Sequence, residues 1–306
     1  MKTARFTPSP WPSSNGQGSR RREVHWPANT TMTKPTSLED LARKAIDGDR
    51  EALDALVRAL QGDVYGLALR MLWNREDAED ATQEILVRIV THLSQFRFQS
   101  RLKTWAYRLA VNYVLDVKKS AIERLHLSFE QFADELEGGL EPASADDAEH
   151  SLLIEEVRVG CSLAMLQCLD RPHRLAFVLG EVLEFSGPEA ANVLAISPAL
   201  FRKRLQHARE AVLAFTKSHC GLVSDSAPCQ CHRRVPAAAL VASGEPRPPQ
   251  LARRAISFQE ARALVRQVDE ARWALEVHRT SQPRPSSIDF AQRLLNVIEH
   301  SSGPTD

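Results

Sequence analysis

Between Ser37 and Lys119 apolar residues recur three and four positions apart, without the alternation of a half-buried strand. Leu38, Leu41 and Ala45 make one stripe, and Leu53, Leu56, Val57 and Leu60 make another. A third runs through Ala78, Ala81, Ile85, Ile89 and Leu93, with Asn74 placed to cap it and Asp77 at the third helical position. From Leu102 the spacing predicts a helix that buries Leu102, Trp105, Ala106, Leu109, Tyr113 and Val117. Lys103, Tyr107, Arg108, Lys118 and Lys119 then lie away from its buried stripe. The pattern lapses over 121–150, where "EGGLEPASADDAE" suggests a flexible acidic linker, and resumes from Ser151 to about Lys217. Past a Pro-rich break, "SGEPRPPQ", two further helices are expected near 257–279 and 287–299.

These elements predict an all-α protein. Two small helical domains, 37–120 and 151–218, are joined by the acidic linker 121–150. A Cys/His loop with a Pro-rich linker (219–250) and a helical extension (251–306) follow. Residues 1–36 are rich in Pro, Ser, Thr, Asn and Gly and lack any period, so they are expected to be a disordered tail. Met32 stands just before the first patterned segment and competes with Met1 as the true start.

The segment 186–212, "SGPEAANVLAISPALFRKRLQHAREAV", holds two helices separated by a tight turn. Ser186 and Glu189 have capping-box spacing, and Ala195, Ile196 and Ser197 make the turn. Ser197 caps the second helix with Pro198 at its first position, where a missing N–H costs nothing. Phe201, Leu205, Ala208, Val212 and Phe215 give that helix a buried stripe. Its other face offers Ala199, Arg202, Lys203, Gln206 and Arg209, which suits a recognition helix entering the major groove of DNA. An αα-hairpin with a solvated basic face is the plainer alternative.

Charge changes the picture only when taken locally. Lys+Arg and Asp+Glu are both 39, so the total points to no partner. From Glu39 to Glu84, however, 12 acids face 6 bases, and from Arg88 to Lys119 seven bases face Asp116 alone. Glu130 to Glu156 holds ten acids and no Lys or Arg, whereas Pro198 to His219 has five bases against Glu210. Asp77, Asp80 and Glu84 form an acidic stripe beside Gln83, directly before the basic, aromatic stretch "FRFQSRLKTWAYRLAVNYVLDVKK". Neighbouring surfaces of opposite sign suggest two different partners. Positive charge mixed with rings is what a surface needs to hold an unpaired nucleic-acid strand, and the loop residues Phe96, Arg97, Phe98 and Arg101 are best placed to touch it.

The stretch "GDREALDALV…NREDAEDATQEILVRIVTHLSQFRFQSRLKTWAYRLAVNYVLD" resembles the second conserved region of bacterial sigma-70 family factors of the extracytoplasmic-function (ECF) group. The block with the two capped helices resembles that family's fourth region, and the likeness covers about residues 38–217. It implies that Asp80, Gln83 and Glu84, with Asp77 in the same stripe, contact core RNA polymerase. Phe96, Arg97, Phe98, Arg101, Lys103, Arg108, Asn112, Lys118 and Lys119 would capture and melt the promoter's minus-ten element. Ala199, Arg202, Lys203, Arg204, Gln206 and Arg209 would form the surface that reads the minus-thirty-five element. Phe98 stands where the family often has a small residue. The resemblance implies no catalytic residue and no required cofactor, and it allows for an anti-sigma partner.

"HCGLVSDSAPCQCHRR" places Cys220, Cys229, Cys231 and His232 within thirteen residues. Thiolate and imidazole suit zinc or copper(I), but the spacing is not that of a standard finger. A redox-active pair and a merely structural turn stay open beside metal binding. Cys161 and Cys168, seven apart on one helix, are expected to be core thiols. The tail helix carries Phe258, Ala261, Leu264, Val265, Val268, Trp273 and Leu275, so it should pack on one of the domains. With the Cys loop it is a candidate regulator of the chain's activity.

No run approaches the roughly 18–20 apolar residues that cross a bilayer, and the N-terminus lacks a signal-peptide core. The expectation is a cytoplasmic protein with reduced cysteines and no membrane partner. Two further functions compete with the sigma factor. One is a stand-alone helix-turn-helix regulator, the other a metal- or redox-sensing adaptor that binds proteins.

Overall fold

The computed structural model describes residues 37–117, 127–138, 140, 151–239 and 250–301. The expectations for residues 1–36, Lys118 and Lys119 fall outside them. Among the described residues the regular elements are all helical, and the extended pairing is one isolated bridge between Cys220 and Cys229. Residues 37–306 form one compact unit.

Four helices come first: α1 (Leu38–Ile46), α2 (Arg50–Leu72), α3 (Arg75–Thr91) and α4 (Leu102–Asp116). Ser37, Asp49 and Asn74 cap the first three by accepting the N–H groups of Asp40, Ala52 and Asp77. These bonds satisfy donors that a helix start leaves without an internal partner. The cap of α4 comes from far along the chain, since the Leu102 N–H donates to Glu39 Oε1 at 2.8 Å. Trp73 adopts φ 50° to end α2, so that α3 can double back against it.

In the second block α6 (Ser151–Gln167) leads to α7 (Arg171–Phe177), which runs on through a π turn at Val178–Val182. Next come α8 (Gly187–Val193) and α9 (Pro198–His219). The reciprocal Ser186–Glu189 capping box opens α8, Ser197 with Pro198 opens α9, and Ala195 makes the turn at φ 51°. Arg174 is buried and donates to the carbonyls of Leu166 (2.8 Å), Leu169 (3.0 Å) and Met71 (2.6 Å). It thereby satisfies exposed carbonyl ends of α6 and α2 together and ties the two blocks. A continuous apolar core runs from Leu60, Ile85 and Ala106 to Leu163, Phe177 and Phe201.

Two regions depart from the sequence reading. Within the expected flexible linker, Phe129–Gly138 is a helix, α5, opened by Ser128 and Gln131, whose side chains each accept the other's backbone N–H. Phe132 is buried there and stacks on Phe215 at 5.3 Å. The helix expected over 257–279 is broken into α11 (Phe258–Val265) and α12 (Trp273–Thr280), α10 (Cys231–Ala239) having come before them. Arg266 closes the gap by lying over the Trp273 ring at 4.7 Å, while Trp273 Nε1 donates to Val268 O at 3.0 Å. The break lets Val265 and Val277 reach the core from separate helices. The last helix, α13 (Phe290–Ser301), packs on α2 and α3.

Candidate nucleic-acid interface

The acidic stripe lies open on α3. Burial of Ala78, Ala81, Thr82, Ile85, Leu86 and Ile89 on the inner face leaves Asp77, Asp80 and Glu84 exposed, with Gln83 half-buried beside them. None of the three acids is in an ion pair among the described residues. Glu79, one position off the stripe, is instead held by Arg75 at 3.1 Å and by the Ser286 hydroxyl at 2.7 Å.

Next to this stripe the chain makes a single 3₁₀ turn at Leu93–Gln95 and turns Phe96 inward. Phe96 was expected on the strand-contacting surface, but only 5% of it is exposed. Its ring packs against Phe98 at 4.6 Å and Trp105 at 5.4 Å. Phe98 is half-buried at φ 56°, and the Arg43 guanidinium lies 4.6 Å from its ring centre. Arg97 and Arg101 are exposed.

The phase of α4 also differs from the expectation. Its buried residues are Leu102, Thr104, Ala106, Tyr107, Ala110, Val111 and Val114, and Tyr107 is wholly enclosed. Burial pushes the Tyr107 phenol well above its usual pKa, with Asp63 adding to the effect, so it stays neutral. Trp105, expected in the core, is half-buried, as are Leu109 and Tyr113. Arg101, Trp105, Arg108 and Asn112, spaced four, three and four apart, therefore share one accessible edge. Lys103 is turned elsewhere, paired with Asp63 at 2.7 Å and 5.6 Å from the Tyr107 ring centre. The sequence reading missed Trp105 as an edge residue. Its position one turn from both Arg101 and Arg108 is the signal that could have found it.

On α9 the stripe Phe201, Leu205, Ala208, Val212 and Phe215 is buried as its spacing predicts. Ala199, Arg202, Lys203 and Gln206 are exposed, and Arg204 is half-buried. Arg209 differs from them because it donates from Nε to Oε1 of Glu181, a buried carboxylate, at 2.7 Å. That bond fixes Arg209 to the domain's own interior.

Cys229 pairs with Cys220 across the isolated bridge, and Gly221 N–H donates to Cys229 O at 2.8 Å. A Cβ at Gly221 would stand 2.7 Å from that oxygen, so the close approach requires glycine. Cys231 opens α10, which packs on α6, the helix carrying Cys161. Burial pushes the Cys161 thiol up to about 12 and the Cys231 thiol well above its usual value, each raised further by neighbouring thiols. His232, proposed from sequence as a ligand, meets the Phe258 ring edge-on at 5.3 Å. Among the described residues no group of three or more His, Cys, Asp or Glu side chains is arranged to hold a metal ion. Burial of these thiols disfavours their thiolate forms.

Together these elements give a helical bundle with an open acidic face and a basic, ringed edge, followed by a helix-turn-helix. The Sigma-70 region 2 family matches residues 56–121. RNA polymerase sigma-H factor of Pseudomonas aeruginosa is 27% identical over 179 residues, 57% of this chain and 91% of its own. The ECF RNA polymerase sigma factor SigW of Bacillus subtilis is 29% identical over 171 residues, 54% of this chain and 89% of its own. The ECF RNA polymerase sigma-E factor of Escherichia coli is 27% identical over 183 residues, covering 59% and 95%. Over more than half of its length the chain is similar to ECF RNA polymerase sigma factors, and residues 56–121 carry the family's second region. Because these relatives are matched nearly end to end, about two-fifths of this chain is additional to them.

Proposed function

We propose that the chain binds core RNA polymerase, directs it to promoters and helps open the duplex there. The carrying observation is the juxtaposition on α3 and α4. An unpaired acidic stripe, Asp77, Asp80 and Glu84 with Gln83, faces solvent beside the edge made by Arg97, Arg101, Trp105, Arg108 and Asn112. The stripe is assigned to polymerase and the edge to the melted minus-ten strand, with Phe98 lining the loop. Arginines hold the backbone electrostatically, and an accessible ring offers an unstacked base a surface that a duplex cannot use. Ala199, Arg202, Lys203, Arg204 and Gln206 on α9 read the minus-thirty-five element from the major groove.

Polymerase performs the chemistry, so the chain supplies neither a catalytic group nor a cofactor. Among the described residues no helix is long and apolar enough to cross a membrane, which accords with work in the cytoplasm. An anti-sigma protein is a further expected partner.

The test is run-off transcription with core polymerase and the full chain. Asp80→Ala with Glu84→Ala should abolish stable association with core while leaving the chain's helicity unchanged. Undiminished holoenzyme formation by that double variant would remove the stripe from the interface.

A further inference from the structure

The two DNA-facing regions are packed together. Helix α4 lies against α8, with the Tyr107 and Phe185 rings edge to face at 5.0 Å and Arg101 paired with Glu189 at 3.4 Å. Arg171 donates to the carbonyls of Leu115 (3.0 Å) and Val117 (2.9 Å) at the end of α4.

The segment from the last turn of α12 to the start of α13 ties both blocks at once. Toward the second block, Arg279 donates to Glu181 O at 2.7 Å and pairs with Glu184 at 3.1 Å. The buried Arg158 guanidinium donates to Thr280 O (2.8 Å), Thr280 Oγ1 (3.0 Å) and Ser281 Oγ (3.1 Å). Toward the first block, Gln282 Oε1 accepts from Arg70 at 3.2 Å, Ser286 donates to Glu79 at 2.7 Å, and Asp289 pairs with Arg58 at 2.8 Å. Eleven residues, Arg279 to Asp289, thus engage α2 and α3 on one side and α6 and the π turn on the other.

This arrangement conflicts with reading two promoter elements. Packed helices lie about 10 Å apart, so α4 and α9, joined through α8, are separated by about 20 Å. Elements named minus ten and minus thirty-five are about 25 base pairs apart, which at about 3.4 Å per pair is about 85 Å of duplex. DNA that short is stiff against its persistence length of about 150 base pairs, so bending does not close the gap. One chain cannot place both surfaces without separating the blocks.

We propose that Arg279–Asp289, anchored by α13, is an autoinhibitory strap that holds the chain closed and is released before both elements are engaged. This rests on the sigma-factor reading. The strap belongs to the chain itself, so the closing contact is present at an effective concentration that a separate inhibitor reaches only when abundant.

The test uses the full chain with Gln282→Ala, Ser286→Ala and Asp289→Arg together, all at exposed or half-buried positions away from the DNA and polymerase surfaces. Probes at the exposed Gln99 and Lys217 report the separation of the two blocks. The triple variant should show a longer, broader distance distribution. With limiting core polymerase it should give run-off output about three- to tenfold higher than the parent. Asp289→Arg alone should open the chain, and adding Arg58→Asp together with Asp54→Asn, which removes the carboxylate that Arg58 also pairs with, should close it again by restoring an ion pair of reversed sense. Intact core binding with unchanged distances, or longer distances with unchanged or lower output, overturns the strap. Failure of the parent chain to bind core at all overturns the sigma reading itself, and the strap's role with it.

Discussion

Replacing Arg158 with alanine isolates the contact that anchors the strap to α6. Arg158 is 1% exposed and Glu155 2% exposed, joined by two bonds of 2.7 and 2.8 Å. Three further bonds reach Thr280 and Ser281. Removing the guanidinium strands the Glu155 carboxylate in the interior, which costs about 3–5 kcal/mol. It also withdraws one of two donors from the Thr280 carbonyl, which keeps the Gln282 N–H at 3.0 Å; that loss of about 0.5–1.5 kcal/mol overlaps the first because the groups share one network. The expected total is about 4 kcal/mol, a large share of the roughly 5–15 kcal/mol that keeps a protein folded. Urea unfolding followed by far-ultraviolet circular dichroism at pH 7.5 measures it as a fall in midpoint at constant slope. Glu155→Leu with Arg158→Met should recover much of the loss, since an apolar pair of similar volume carries no unpaired charge. A single-variant loss below about 1 kcal/mol, or a double variant as unstable as the single, refutes the reasoning.

Four other predictions follow from the geometry. Arg202→Ala and Lys203→Ala should each weaken promoter binding by the holoenzyme and flatten its salt dependence by about one unit where the contact is to phosphate. Arg209→Ala should instead lower stability, because it leaves the buried Glu181 short of a partner. His278 is enclosed against Phe177, and burial with the nearby Arg70 lowers its pKa from 6.5 to about 3. The unfolded chain therefore binds a proton that the folded chain refuses. Stability is full above about pH 6.5 and falls by about 2 kcal/mol by pH 5, and His278→Gln should flatten that slope in urea titrations at the two pH values. For the cysteines, chelator treatment should leave the melting temperature unchanged, and a thiol reagent should react with Cys161 and Cys231 only as the protein unfolds. Stoichiometric zinc in the purified chain, with a chelator-induced drop, would show that the thiols close around a metal.

Much of this was legible where a helix has one wet face and one dry face. The α9 stripe and the N-caps of α8 and α9 follow from spacing alone, because most of the opposite side of α9 faces solvent. Helix α4 lacks that simplicity. It packs on α1, α2 and α3 and also on α8, so apolar residues occupy most of its circumference. Two phases then satisfy the pattern, and only the tertiary neighbours decide that Tyr107 is enclosed and Trp105 is not. Helix α5 was hidden by its own acids: Glu130, Asp134, Glu135 and Glu137 outnumber Phe129, Phe132 and Leu136, although those three recur at helical spacing. The gathering of Cys161 with the Cys220–Cys231 loop has no local trace. It depends on α10 packing on α6 from some seventy positions away.

The central claim is that the α4 edge holds an opened promoter strand once polymerase is bound. Permanganate probing of unpaired thymines on a promoter fragment tests it most directly. With core polymerase and the parent chain, reactivity should appear across the minus-ten element and depend on both proteins. Arg108→Ala with Asn112→Ala should reduce that reactivity at least tenfold while holoenzyme still forms. Equal reactivity for the parent and the double variant would contradict the assignment of this edge, and protection of an intact duplex by the chain alone would contradict the account as a whole.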